Sequence, residues 1–172
     1  MIQLKTPVDK KVLEKLNAGD TALLTGYIYT ARDQAHKRIF EALLKGKKPP
    51  IPLKGEIIYY CGPTPARKGK IIGSCGPTTA SRMDEFTPAL LRAGVIATIG
   101  KGRRSEKVRQ VIKKYKAVYF ATIGGAGAYL AQKVKASSVA AYPDLGPEAI
   151  YKLKVKDFPL YVAIDQKGKS IY

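Results

Sequence analysis

The 172-residue sequence has little of several things, and each shortage excludes a class of function. It holds one histidine, His36, and two cysteines, Cys61 and Cys75, with no C-x-x-C spacing. That set cannot furnish a structural zinc site or an iron–sulfur cluster from this chain alone. A disulfide between the two cysteines is geometrically possible, but a reducing cytoplasm works against it, and two small buried cysteines are the expectation. Asparagine occurs once, at Asn17, and acidic residues are outnumbered 13 to 31 by Lys and Arg, for a formal net charge of +18. No apolar run approaches the roughly 20 residues of a membrane span. The opening MIQLKTPVDKK has no signal-peptide apolar core, so a cytoplasmic protein is expected.

What is present reads as one globular domain over 1–172, with 45% apolar residues and charge spread along the chain. The positive excess first suggests nucleic acid. The lysines are scattered, however (KGKK, KGK, KGRR, KKYK, KVK), and no RNA-binding signature with paired aromatics occurs. A lysine-rich, asparagine-poor chain also suits a thermophile-like surface or an acidic partner.

The most informative stretch is Cys61 to Asp84, CGPTPARKGKIIGSCGPTTASRMD. Two Gly-Pro-Thr turns each follow a β-rich apolar run, GEIIYYC and KIIGSC, and proline stops a strand by withholding an amide hydrogen. Behind Pro77, Thr78 or Thr79 is placed to cap a helix running through LLRAG, whose first turn favours an anion. Arg82, one turn further in, adds a donor fork suited to carboxylate or phosphate. The plainer reading is a capped helix whose Arg82 pairs with Asp84 or another carboxylate.

Elsewhere, Thr6-Pro7 should open a short helix over VDKKVLEKL, and TALLTGYIYT should be a strand interrupted at Gly26. RDQAHKRIFEALLKG reads as a helix closed by Gly46. Arg32, Asp33 and His36 gather at its start, where Asp33 could simply cap while Arg32 and His36 are solvated. VIATIG and AVYFATI read as buried strands, the first ending at Lys101-Gly102, and strand ends of this kind gather ligands in open α/β sheets. SEKVRQVIKKYK is an amphipathic helix capped by Ser105. GGAGA opens another helix but lacks a Walker lysine, so a nucleotide loop is a weak reading. Ser137 to Tyr142 reads as a strand, and KLKVKDF is expected to pair with LYVAIDQKGKSIY around a turn at Asp165–Gly168. The fold class is α/β or mixed α+β, without strict βαβ alternation.

The strings YYCGPTPARKG, GSCGPTTASRMD, ARD-x-AH and Gly-Lys-Gly resemble the smaller (β) subunit, or C-terminal domain, of class I iron–sulfur fumarate hydratases and their L-tartrate dehydratase relatives. The resemblance covers most of the chain. It implies a swivelling β/β/α fold with flanking helices, and reversible addition of water to a four-carbon dicarboxylic alkene to give malate. It implies a [4Fe–4S] cluster held by three cysteines of a separate α subunit, in an α2β2 assembly, with no cofactor bound by this chain. By that resemblance Arg32, Arg82 and Lys101 bind substrate carboxylates and Thr78, not Thr79, moves the C3 proton. Asp33 would orient Arg32, Asp84 would orient Arg82, and His36 would be structural or at the rim. Fumarate is preferred over tartrate because the motifs are kept and the chain ends soon after DQKGKSIY. The alternatives are a tartrate dehydratase β subunit, a non-catalytic basic module for anions or nucleic acid, or a lone domain whose partner is lost.

Overall fold

The computed structural model describes residues 1–172 as one mixed α/β unit. Its strands are β1 (Ile2–Lys5), β2 (Thr21–Thr30), β3 (Ile57–Tyr59), β4 (Ala97–Gly100), β5 (Val118–Ala121), β6 (Val134–Ala141) and β7 (Ile150–Ile164). The α-helices are α1 (Lys10–Glu14), α2 (Asp33–Leu44), α3 (Thr87–Arg92), α4 (Glu106–Tyr115) and α5 (Gly127–Gln132).

β2, β3, β4 and β5 lie side by side and parallel. The long β7 then runs antiparallel to β5 and also to β2, so the sheet closes on itself. β1 extends the edge that β2 offers before β3 begins, and β6 lines the free side of β7. Closure pairs β3, β4 and β5 on both sides and leaves β1 and β6 as the edge strands.

Side chains alternate across the closed sheet, and the two faces build two cores. Leu24, Ile28, Ile57, Tyr59, Ile99, Phe120, Phe158 and Val162 fill one, joined by Leu13 of α1 and Leu130 of α5. Ile58, Tyr60, Tyr119, Ala121 and Ile164 face the other, which Ile39 of α2, Leu90 and Leu91 of α3, and Val108 and Ile112 of α4 cover. Each fully buried side chain of this size contributes about 1.5–3 kcal/mol of transfer free energy.

Several expectations hold. β2 carries a register shift between Leu24 and Gly26, and Gly26 has φ +128, so the interruption is a bulge that only glycine adopts easily. Ser105 caps α4, its Oγ accepting from the Val108 amide. Gly46 follows α2 with φ +64, and Gly168 N donates to the Asp165 carbonyl in the expected turn.

Others are corrected. Thr6 does not cap α1, because its Oγ1 accepts from the Tyr27 amide at 2.6 Å; Asp9 takes the cap instead. KIIGSC is not a strand. Thr64 and Ser74 pair only at the neck of a loop, through Thr64 N to Ser74 O at 3.0 Å and Gly73 N to Thr64 O at 3.1 Å, and Ile71 is left exposed. KLKVKDF and LYVAI are not two partners but one strand, β7, because β2 pairs with both halves, from Lys152 to Tyr161, across a single bulge. The helix expected from Thr79 through LLRAG is a 3-10 turn, Ala80–Met83, followed by the separate α3. Pro88 at the head of α3 supplies no amide to continue the first turn into the second.

Candidate functional site

Three neighbouring parallel strands, β2, β3 and β4, end at one edge, and each hands its chain to residues singled out by sequence. Beyond β2 come Arg32 and Asp33 at the head of α2; beyond β3 come Tyr60, Cys61 and Gly62; beyond β4 comes Lys101. Residues 78–80 are laid between the ends of β3 and β4 as a short inserted rung. Thr78 N donates to Tyr60 O at 2.7 Å, Lys101 N donates to Thr78 O at 3.3 Å, and Ala80 N donates to Lys101 O at 2.9 Å. Backbone bonds on both sides therefore fix Thr78 beside Lys101. Thr78 is half-buried and Thr79 exposed, a difference that sequence reasoning could not draw.

Neither threonine caps a helix. Thr79 precedes the 3-10 turn without a side-chain cap bond, and so short a turn carries little dipole to attract an anion. Positive charge at this edge comes from side chains. Arg82 forks onto Asp33, with Nε to Oδ1 at 3.0 Å and Nη2 to Oδ2 at 3.0 Å. Arg32 Nε stands 3.7 Å from the same Oδ2 and is buried without a hydrogen bond. Asp33 thus holds two arginines together while satisfying one, and Arg32 keeps an unspent donor. Asp33, expected beside Arg32, makes its hydrogen bond with Arg82 instead.

Glycine makes room for both long side chains. A Cβ on Gly62 would sit 2.7 Å from Arg32 Cδ, and one on Gly124 would sit 3.3 Å from Lys101 Cδ. Lys101 is therefore flanked by the β5–α5 loop on one side and the threonine rung on the other.

Asp84 does not orient Arg82; it accepts from Arg104 Nε at 2.6 Å and from the Ser105 amide at 2.8 Å. Arg104, not anticipated from sequence, is buried and also donates to Thr87 Oγ1 at 2.6 Å and to Tyr60 Oη at 3.2 Å. Its guanidinium stacks near the rings of Tyr60 and Tyr119, 5.3 and 5.0 Å from their centroids. Burial opposes its charge, but the surrounding Tyr60 and Asp84 keep its pKa raised. This cluster ties the end of the 78–84 segment to the loop that carries Lys101. Nothing in GRRS separates Arg104 from the exposed Arg103.

His36 lies in the core and not at the rim. It is fully buried, with Nδ1 at 2.9 Å from the Arg32 carbonyl and its ring edge-on to Tyr60 at 5.3 Å. A carbonyl can only accept, so Nδ1 carries the proton and Nε2 is left bare. Burial lowers its pKa to about 4. The unfolded chain therefore binds a proton at a higher pH than the folded one. Stability contributed by neutral His36 is present above about 6.5 and is lost as pH falls toward 4, by about 3 kcal/mol in all. Urea unfolding from pH 7 to pH 4 should show this slope, and His36→Phe should remove that part of it.

The chain does not fit a metal cluster: no group of three or more His, Cys, Asp or Glu is placed to hold one. Cys61 and Cys75 are buried, as expected. A cavity of about 680 Å³ lies to one side, between the 64–74 loop and α5, and includes none of Arg32, Thr78, Arg82 or Lys101.

The whole chain, residues 1–172, matches the family model described as Fumarase C-terminus. The chain belongs to the fumarase C-terminal family. It is 38% identical over 175 residues to fumarate hydratase 2 of Leishmania major, covering 99% of this chain and 31% of that protein. It is 38% identical over 176 residues to the anaerobic class I fumarate hydratase of Escherichia coli, covering 99% of this chain and 32% of that enzyme. A Methanocaldococcus jannaschii chain carrying the name L(+)-tartrate dehydratase subunit beta is 40% identical over 169 residues, with 95% of this chain and 87% of that one covered. The chain thus spans about a third of the fumarate hydratases it matches and most of the β subunit.

Proposed function

We propose that this chain is the β half of a hydro-lyase that interconverts fumarate and L-malate, acting with a companion α chain. The observation that carries the reading is the cationic edge: Arg32, Arg82 and Lys101 lie where parallel strands end, with Asp33 as the counter-charge to the arginine pair. A dianionic four-carbon acid suits such a set, because forked guanidinium groups bind carboxylates in two places and an ammonium adds a point charge.

In this reading Arg32 and Arg82 grip one substrate carboxylate, Asp33 setting the angle between them. Lys101, held against the threonine rung, neutralises the charge that builds on that carboxylate as the C3 proton departs. Thr78 Oγ1 stands at that proton. An unperturbed hydroxyl is a weak base, so Thr78 works only with the neighbouring cations or a relay that drains the proton onward.

The cluster of the resembling enzymes would supply a Lewis-acidic iron, and the residues of this chain do not fit it. In this proposal the cluster belongs to the companion chain. A net charge of +18 suits an acidic partner surface. The α2β2 assembly, the single functional domain over 1–172 and the cytoplasmic setting belong to the same proposal; no helix is long and apolar enough to cross a membrane.

The 87% coverage of the named tartrate dehydratase β chain favours a second substrate, L-tartrate, for the same edge. Anaerobic turnover of both acids by the reconstituted pair decides between them. Faster fumarate hydration supports the first reading, and dehydration of tartrate alone replaces it with the second.

A further inference from the structure

We propose that Cys61 and Cys75 form an oxidisable pair, a modification site at which a peroxide-class two-electron oxidant joins the sulfurs and clamps the loop between them. The two Sγ atoms are 3.2 Å apart, and both residues are buried in the sheet interior. No third cysteine competes for either.

The backbone holds them there from several directions. Tyr59 Oη donates to the Cys75 carbonyl at 2.6 Å, Cys75 N donates to Gly127 O at 3.1 Å, and Ser74 N donates to Thr64 Oγ1 at 2.7 Å. The loop 62–74 leaves and returns through this neck. Joining the sulfurs needs side-chain motion of about 1 Å and no change of fold. The bond would tie the Gly62-Pro63-Thr64 turn to Gly76-Pro77-Thr78, pinning the root of the threonine rung.

The chemistry balances with the peroxide named. Cys61, whose neighbour Gly62 packs against Arg32, attacks one peroxide oxygen as thiolate; the O–O bond breaks, the departing hydroxide takes a proton, and Cys61 becomes a sulfenic acid. The Cys75 sulfur then attacks the Cys61 sulfur, the S–S bond forms, the S–O bond breaks and a second water leaves. Two thiols lose two protons and two electrons, and one peroxide becomes two waters. The contact with Cys75, and then burial, hold the Cys61 thiol above its usual range, while Arg32 pulls it down. Thiolate is thus scarce, and oxidation is slow at neutral pH and faster as pH rises.

The test uses the full-length chain, held in hydrogen peroxide at pH 7 and pH 9, then denatured, alkylated and weighed intact. The expected product is lighter by about 2 Da, takes up no alkylating agent, and forms faster at pH 9. Its melting temperature should rise by about 5–10 °C and fall back on reduction. Cys61→Ser and Cys75→Ser should each abolish the rise. Two alkylatable thiols after oxidation, one sulfur carrying added oxygen, or chain-to-chain dimers would each overturn the proposal. The mass measurement needs no activity, so its outcome is independent of the hydro-lyase reading.

Discussion

Arg104→Met should lower stability by about 3–5 kcal/mol, a fall in melting temperature of about 10 °C. The substitution keeps apolar bulk but removes every donor from a buried site. Asp84 loses its 2.6 Å ion pair, and Thr87 Oγ1 and Tyr60 Oη lose the hydrogen bonds they accept from Arg104. Most of the cost is the carboxylate left behind without its cation, so Arg104→Met combined with Asp84→Asn should lose less than Arg104→Met alone. Calorimetry of the three variants checks this. A drop below about 1 kcal/mol for the single change would mean that the cluster is incidental to the fold.

Arg82→Ala should behave in the opposite way. Its pair with Asp33 is exposed on the Arg82 side, at 51% against 27%, so the loss of stability should be under about 1 kcal/mol. In the reconstituted pair, kcat/KM should fall by about 10²–10³-fold, because a preorganised cation facing the developing charge is removed. Arg82→Lys should recover only part, since an ammonium cannot make the forked contact. Steady-state kinetics beside thermal melts separates the two effects. A large stability loss with unchanged turnover would make Arg82 and its pair with Asp33 structural.

These two arginines show what the sequence could and could not reveal. Arg82 sits in a motif whose glycine and proline announce a turn, although the run before it, KIIGSC, is loop and not the expected strand. Arg104 differs from its neighbour Arg103 only in which way the loop turns, and that depends on Tyr60, Thr87 and Tyr119 from three distant segments. Asp84 was assigned to the wrong arginine for the same reason: proximity in sequence favoured Arg82, and tertiary packing gave it to Arg104. Periodicity found β2, α2 and α4 by their apolar faces, and the four-residue β4 and β5 were legible because every position in them is buried. It missed β1, four residues with a single buried side chain. KLKVKDF and LYVAI read as two pairing segments, but they form one strand. The chain takes φ +51 at Asp157 and stays paired to β2, with the Asp157 amide bonded to Thr25 Oγ1. Closure of the sheet by β7 had no local signal, since it depends on which strands one segment meets at its two sides.

The account rests on this chain being half of an enzyme, and anaerobic fumarate hydration tests that most directly. The purified chain is assayed alone and then after co-expression with a cluster-bearing α chain. The account predicts no turnover by the chain alone, and malate formation by the pair that is lost in Thr78→Val. A folded pair with a loaded cluster that turns over neither fumarate nor malate would contradict it.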